Sequence, residues 1–192
     1  EIMCIYTKLL VSLLTFCSLV ASCKPDGQSS DKVAESGGSV FPPIDYQEVI
    51  DSDGKLIDLT DFKDKIVLLN FWATWCGPCR YEIPDLVKLR SEYDLEKLAI
   101  IGVSLDQGSN EKVKKMLEKF IKRYEINYPV LLDGNGEMVR KIVGDQMQSL
   151  AVPMTFIFDR HGKMRSKHVG VPRGKNGLDP YGILKEEIES LL

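Results

Sequence analysis

One stretch of five residues, Trp75-Cys76-Gly77-Pro78-Cys79, limits what this chain can fold into more than any other. Just upstream, Ile66 to Ala73 is an apolar run interrupted only by Asn70, the pattern of a strand covered on both faces. Just downstream, Pro78 to Tyr93 carries Ile83, Leu86, Val87 and Leu89 at helical spacing. The cysteine pair therefore sits where a buried strand turns into a helix. A cysteine at a helix N-terminus meets unpaired N–H groups and the positive end of the helix dipole. Both favour the thiolate, which is the nucleophile. Two intervening residues let the second sulfur curl back onto the first helical turn, and Pro78 is tolerated there because its absent N–H would have been unpaired. This reading makes Cys76 the exposed attacker and Cys79 the more buried resolving thiol.

The pair has other uses in principle. A zinc site needs four ligands, but the chain has only two histidines, His161 and His168, both far from the pair in sequence. A purely structural disulfide closing so short a loop gives little stabilisation. The remaining cysteines are Cys4, Cys17 and Cys23. Lys8 precedes an apolar run from Leu9 to Ala21, too short to span a bilayer comfortably and suited to a signal-peptide core, with Met3 as a natural start. The run ends in Leu19-Val20-Ala21-Ser22-Cys23, which resembles a bacterial lipoprotein signal. The alternative is a core element or an uncleaved anchor helix. The expected organisation is a signal peptide over 1–22, a lipidated Cys23 with a flexible Ser- and Gly-rich tether over 23–39, and one domain over 40–192. Cleavage and lipidation would leave Cys76 and Cys79 as the free chemistry.

The 192 residues suit one ordinary domain with flanking segments, and 44% hydrophobic content supports a real core. Net charge is −3 and no basic stripe is evident in the composition, which argues against nucleic acid as a partner. No apolar run is long enough for a polytopic membrane protein. The rest of the domain alternates strands and helices. Tyr46–Ile50 and Lys55–Leu59 flank Asp51-Ser52-Asp53-Gly54, a hairpin turn signal. Strands follow over Leu98–Leu105 and Tyr128–Leu132. Glu111–Tyr124 is an amphipathic helix with Val113, Met116, Leu117, Phe120 and Ile121 on one face, and Glu137–Val143 is a short one. Met154–Phe158 and Met164–Val169 form a hairpin across Asp159-Arg160-His161-Gly162, and Pro180–Leu192 is a terminal helix. The pattern is α/β, with helices packed about a mixed sheet.

Val67-Leu68-Leu69-Asn70-Phe71-Trp72-Ala73-Thr74-Trp75-Cys76-Gly77-Pro78-Cys79-Arg80 closely resembles thioredoxins. The following Tyr81-Glu82-Ile83-Pro84 resembles the TlpA/ResA type of the superfamily, found in the cell envelope. The resemblance covers about Val40 to Leu192. It implies a thioredoxin fold with an added N-terminal β-hairpin, and thiol–disulfide exchange without a metal or organic cofactor. Thioredoxins carry a buried aspartate on the central strand, where this chain has Asn70, which cannot accept a proton in the useful range. The ResA type instead has a glutamate three residues after the second cysteine, here Glu82, on the same side of the helix as Cys79. Burial would raise its pKa toward that of a base for a thiol; the alternative is a solvated glutamate paired with Arg80 or Lys88. Val152-Pro153 matches the family's cis-proline loop beside the cysteines, an ordinary trans proline being the alternative. With Trp75, Gly77 and Pro78, these two residues are the expected substrate contacts. Trp72 is expected to support the core, and Pro84 to kink the helix. The stretch Gly144–Ala151 is longer than the family's usual loop; its Met147 and Leu150 are either exposed contacts or locally packed. His161 and His168 receive no role.

The implied reaction is reduction of disulfides in envelope proteins, apocytochrome c among them, by a lipid-anchored monomer fed by a membrane thiol-transfer donor. Gly-Pro between the cysteines resembles reducing thioredoxins, so the potential is expected nearer roughly −270 mV than roughly −120 mV. One competing activity is a peroxiredoxin-like thiol peroxidase, whose upstream proline is absent from Asn70–Trp75; thiol-dependent peroxide turnover separates the two. A metallochaperone or redox-sensing binding module is a non-enzymatic alternative.

Overall fold

A computed structural model describes residues 49–50, 62–143 and 151–192. The expected signal segment, Cys23, the tether, the second arm of the N-terminal hairpin and residues 144–150 lie outside these described residues. In chain order the elements are β1 (Val49–Ile50), β2 (Ile66–Trp72), α1 (Gly77–Glu92), β3 (Leu98–Ser104), α2 (Asn110–Arg123) and β4 (Val130–Leu132). They continue with α3 (Glu137–Val143), β5 (Met154–Phe158), β6 (Met164–Val169), β7 (Arg173–Gly174), β8 (Gly177–Leu178) and α4 (Pro180–Glu189).

The main sheet runs β1-β4-β3-β2-β5-β6. β2, β3 and β4 are parallel, whereas β5 is antiparallel to β2 and β6 antiparallel to β5. This is the mixed sheet that the alternating pattern predicts. β1, which falls in the first arm of the expected N-terminal hairpin, pairs antiparallel with β4. Every residue of β2, β3 and β5 is buried, as expected for central strands covered on both sides.

Side chains alternate across a strand, so β2 feeds two cores. Ile66, Leu68 and Trp72 face α1, α2 and α4, where they pack with Ile83, Leu86, Leu117 and Leu184. Val67, Leu69 and Phe71 face α3 and pack with Met138, Val139 and Phe156. Trp72 is fully buried and stacks on Phe120 at 4.9 Å between ring centroids, and Phe120 stacks on Tyr124 at 4.4 Å. Burial of each such side chain contributes about 1.5–3 kcal/mol. The same alternation puts Asn70 on the α1 face, as the polar member among Ile66, Leu68 and Trp72.

Several elements depart from the sequence expectation. β4 begins at Val130, not Tyr128, and α4 ends at Glu189, with Ser190 as its cap. As expected, Pro84 lies inside α1, and its ring is exposed, so it stands on the side where a missing backbone donor faces water. Met116 is not a core residue of α2: it is 39% exposed and accepts a contact from Thr74 Oγ1 at 3.5 Å. The hairpin of β7 and β8, joined by Lys175-Asn176, was missing from the sequence reading because two-residue strands carry no periodicity.

Gly102 of β3 is packed closely against the rings of Trp72 and Tyr128. A Cβ there would lie 2.8 Å from Trp72 Nε1 and 3.1 Å from Tyr128 Cε2. Gly102→Ala is expected to destabilise the protein by about 1–3 kcal/mol through overpacking. Denaturant unfolding checks this; an unchanged midpoint would show that the two rings yield without strain.

Candidate active site

The end of β2 and the start of α1 are joined by a turn that positions the sulfurs. Cys76 N–H donates to Ala73 O at 3.0 Å, and Leu105 N–H donates to Trp72 O at 2.8 Å. Asp106, almost fully buried, anchors the turn from the neighbouring strand. Its carboxylate accepts from Thr74 N–H at 2.9 Å, Thr74 Oγ1 at 2.7 Å and Ser104 Oγ at 2.8 Å. The sequence reading missed Asp106; its signal was an acid placed directly after an apolar strand that runs beside the motif.

Cys76 is the N-cap of α1, and Cys79 N–H donates to its Sγ at 3.1 Å. This is the helix-terminus arrangement that favours a thiolate in the reduced form. Cys76 and Cys79 form a disulfide with their Cα atoms 5.3 Å apart, so the structure describes the oxidised state. The expectation of an exposed Cys76 is corrected: it is 4% exposed and Cys79 is 1% exposed. The exposed surface belongs to their neighbours Trp75, Gly77 and Pro78, with Trp75 67% exposed.

Glu82 lies one turn beyond Cys79 and is fully buried. It pairs with neither Arg80 nor Lys88. Thr155 Oγ1 donates to its Oε1 at 3.0 Å, and Asn70 Nδ2 donates to its Oε2 at 3.1 Å. Asn70 Nδ2 also reaches Thr155 Oγ1 at 2.9 Å, closing a three-residue network. Register makes this possible, because Asn70 of β2 and Thr155 of β5 are direct cross-strand partners. Burial raises the Glu82 pKa and the two donors oppose it. Burial prevails, and the carboxyl is pushed up from 4.5 to about 7. A carboxyl in that range exchanges a proton near neutral pH.

The Val152–Pro153 peptide is cis. Pro153 O accepts from Gly170 N–H at 2.8 Å, which ties the loop to the end of β6. Val152, Pro153, Pro78 and Tyr81 line an open groove of about 690 Å³, completed by residues from β6 to β8. The groove thus meets α1 at Pro78, one of the two residues between the cysteines, and at Tyr81. Trp75 and Gly77, the other expected contacts, are exposed beside it but do not line it. Among the described residues, no three His, Cys, Asp or Glu side chains come together as a metal site.

The AhpC/TSA family model matches residues 38–167. The chain belongs to the AhpC/TSA family. The thiol-disulfide oxidoreductase ResA of Bacillus cereus is 32% identical over 171 residues, covering 89% of this chain and 91% of that protein. The thioredoxin-like protein YneN of Bacillus subtilis (strain 168) is 39% identical over 117 residues, covering 61% of this chain and 64% of that protein. Among solved structures, a thiol:disulfide interchange protein of the thioredoxin family from Chlorobium tepidum TLS superposes with a TM-score of 0.57 at 26% identity, over 77% of this chain and 97% of that one. StoA from Bacillus subtilis shares the fold, with a TM-score of 0.57 at 21% identity, over 78% of this chain and 98% of that one. Within the family this chain has the thioredoxin fold and is a thiol–disulfide oxidoreductase, with its Cys-Gly-Pro-Cys pair at the strand-to-helix junction.

The raised Glu82 pKa has a consequence for stability. Between about pH 4.5 and 7 the folded oxidised protein holds a proton that the unfolded chain has released. Stability from this group is therefore full below the unfolded value and is lost as pH rises through about 7. The loss should be about 3 kcal/mol across that window. Glu82→Gln should flatten the difference, as read by urea midpoints at a series of pH values; parallel profiles for the two proteins would contradict the assignment.

Proposed function

We propose that this protein reduces disulfides of envelope proteins on the extracytoplasmic side of the membrane, with Cys76 as nucleophile, Cys79 as resolving thiol and Glu82 as the base for Cys79. The observation that carries this reading is the buried Glu82 carboxyl, hydrogen-bonded by Asn70 and Thr155 one helical turn from Cys79. In the reduced protein the Cys76 thiolate attacks one sulfur of a partner disulfide, forming a mixed disulfide and releasing a partner thiolate. Cys79 then gives its proton to Glu82 and attacks Cys76 Sγ. The second partner sulfur leaves as a thiolate, and the protein ends with the Cys76–Cys79 disulfide. Glu82 returns its proton to solvent or to the departing thiolate. Two electrons pass from the protein to its partner, and a membrane thiol-transfer donor restores the dithiol.

The groove at Pro78, Val152 and Pro153 suits a partner segment that lies against the cis-proline loop in extended form. The N-terminal sequence supports export over 1–22 and lipidation at Cys23, with 24–39 as a tether that leaves the catalytic domain free to reach its partners. Exported proteins carry disulfides because the compartment is oxidising. Apocytochrome c, whose haem-site cysteines must be reduced, is one substrate of the right chemistry. Among the described residues no helix is long and apolar enough to cross a membrane.

Cys79→Ser should accumulate mixed disulfides through Cys76, visible on non-reducing gels of cell envelopes and lost on adding dithiothreitol. Cys76→Ser should trap none. Equal trapping by both variants would remove the assigned order of attack. Glu82→Gln should slow resolution of the mixed disulfide by about 10²-fold near neutral pH, the usual scale of general-base catalysis. Resolution at the wild-type rate at every pH would remove the base.

A further inference from the structure

β6 brings a second titratable side chain to the Glu82 network. His168 is the cross-strand partner of Thr155, the residue whose hydroxyl donates to Glu82 at 3.0 Å. The sequence reading gave His168 no role. Its Nε2 lies 2.9 Å from Oε2 and 3.1 Å from Oε1 of Glu187 on α4. Ser166, two residues earlier on the same face of β6, donates to that Oε2 at 2.8 Å. Glu187 is thereby fixed from two points and in turn fixes the imidazole. His168 also lines the groove shared by Pro78, Val152 and Pro153. One half-buried ring thus borders the docking groove and sits one strand away from the buried carboxyl.

We propose that His168, clamped by Glu187, is a positioning residue for the proton that Glu82 takes from Cys79: when the imidazole is charged, it keeps Glu82 in the carboxylate form ready to accept. The inference rests on Glu82 being the base. The neighbours of Glu82 act in opposite directions. Asn70 on β2 and Thr155 on β5 donate hydrogen bonds to the carboxylate, and His168 on β6 favours it by charge. Asp85, the next acid on α1, opposes ionisation. Tyr128, ahead of β4, has a buried phenol whose pKa is pushed up, so it adds no charge. Among these, His168 alone borders the groove, and a partner seated there covers it.

The test is single-turnover oxidation of the reduced protein by a chromogenic aromatic disulfide. The first release of chromophore marks attack by Cys76, and the second marks attack by Cys79 on the mixed disulfide. The second phase is followed across pH, where the base gives an inflection. His168→Gln should move that inflection up by about half a unit, slowing the phase about threefold below it, because a lost opposite charge lets Glu82 keep its proton longer. His168→Lys, which restores the charge but not the ring, should move it back. In a Glu82→Gln background, His168→Gln should change nothing further. If His168→Gln leaves the inflection in place while Glu82→Gln removes it, the proposal fails and the base stands. If Glu82→Gln keeps the wild-type inflection, both fail. If His168→Gln shifts the inflection and His168→Lys does not restore it, the effect is packing rather than charge, and the proposal fails.

Discussion

A carboxyl group with no exposed surface, held between an amide and a hydroxyl, is the interaction on which the rest of this site depends. Glu82 is shielded from water by α1 above and by the β2–β5 pair below, and it accepts one hydrogen bond from Asn70 and one from Thr155. Without the donors, a carboxylate in this place would carry an unbalanced desolvation penalty and stay protonated far above neutral pH. Without the burial, it would be an ordinary surface acid, ionised throughout. The combination puts it at about 7, where it can both take and return a proton. The disulfide chemistry at Cys76 and Cys79 is general to the fold; the proton handling is where this chain differs from one with an acid on the central strand.

The architecture serves that balance. β2 supplies Asn70 to the α1 face through simple strand alternation, and the antiparallel β5 places Thr155 opposite it. α1 is capped by Cys76, so its first turn carries Cys79 and its second brings Glu82 inward. Asp106 holds the loop before Cys76, which sets where α1 begins. A shift of β5 by one residue would turn Thr155 to the opposite face and remove a donor from the carboxyl.

The cysteine pair was legible in a few adjacent residues, and Glu82 and the Val152–Pro153 loop were expected through the family resemblance. The long strands, the described helices and the mixed sheet were legible because long buried runs and helical periodicity are local signals, whereas the two-residue strands β7 and β8 were not. What could not be read locally was who meets whom across the sheet. Asn70 was noticed as a missing acid, yet its positive role as a donor to Glu82 needs the β2–β5 register. Thr155 carried no signal of its own, because its place beside Glu82 also follows from that register. His168 received no role because its partner, Glu187, lies on the last helix. The exposure of Cys76 was overestimated for a related reason: the disulfide and the cap of α1 draw its sulfur inward, and Trp75 takes the surface instead.

The most direct measurement is a carbon-13 NMR titration of the Glu82 side-chain carboxyl in the oxidised protein, assigned by loss of the signal in Glu82→Gln. The oxidised state removes the thiols from the titration, so the curve reports the carboxyl and its surroundings. A midpoint near 7 is predicted. A midpoint near the ordinary 4.5 would contradict the account, because a carboxyl already ionised well below neutral pH is too weak a base for Cys79.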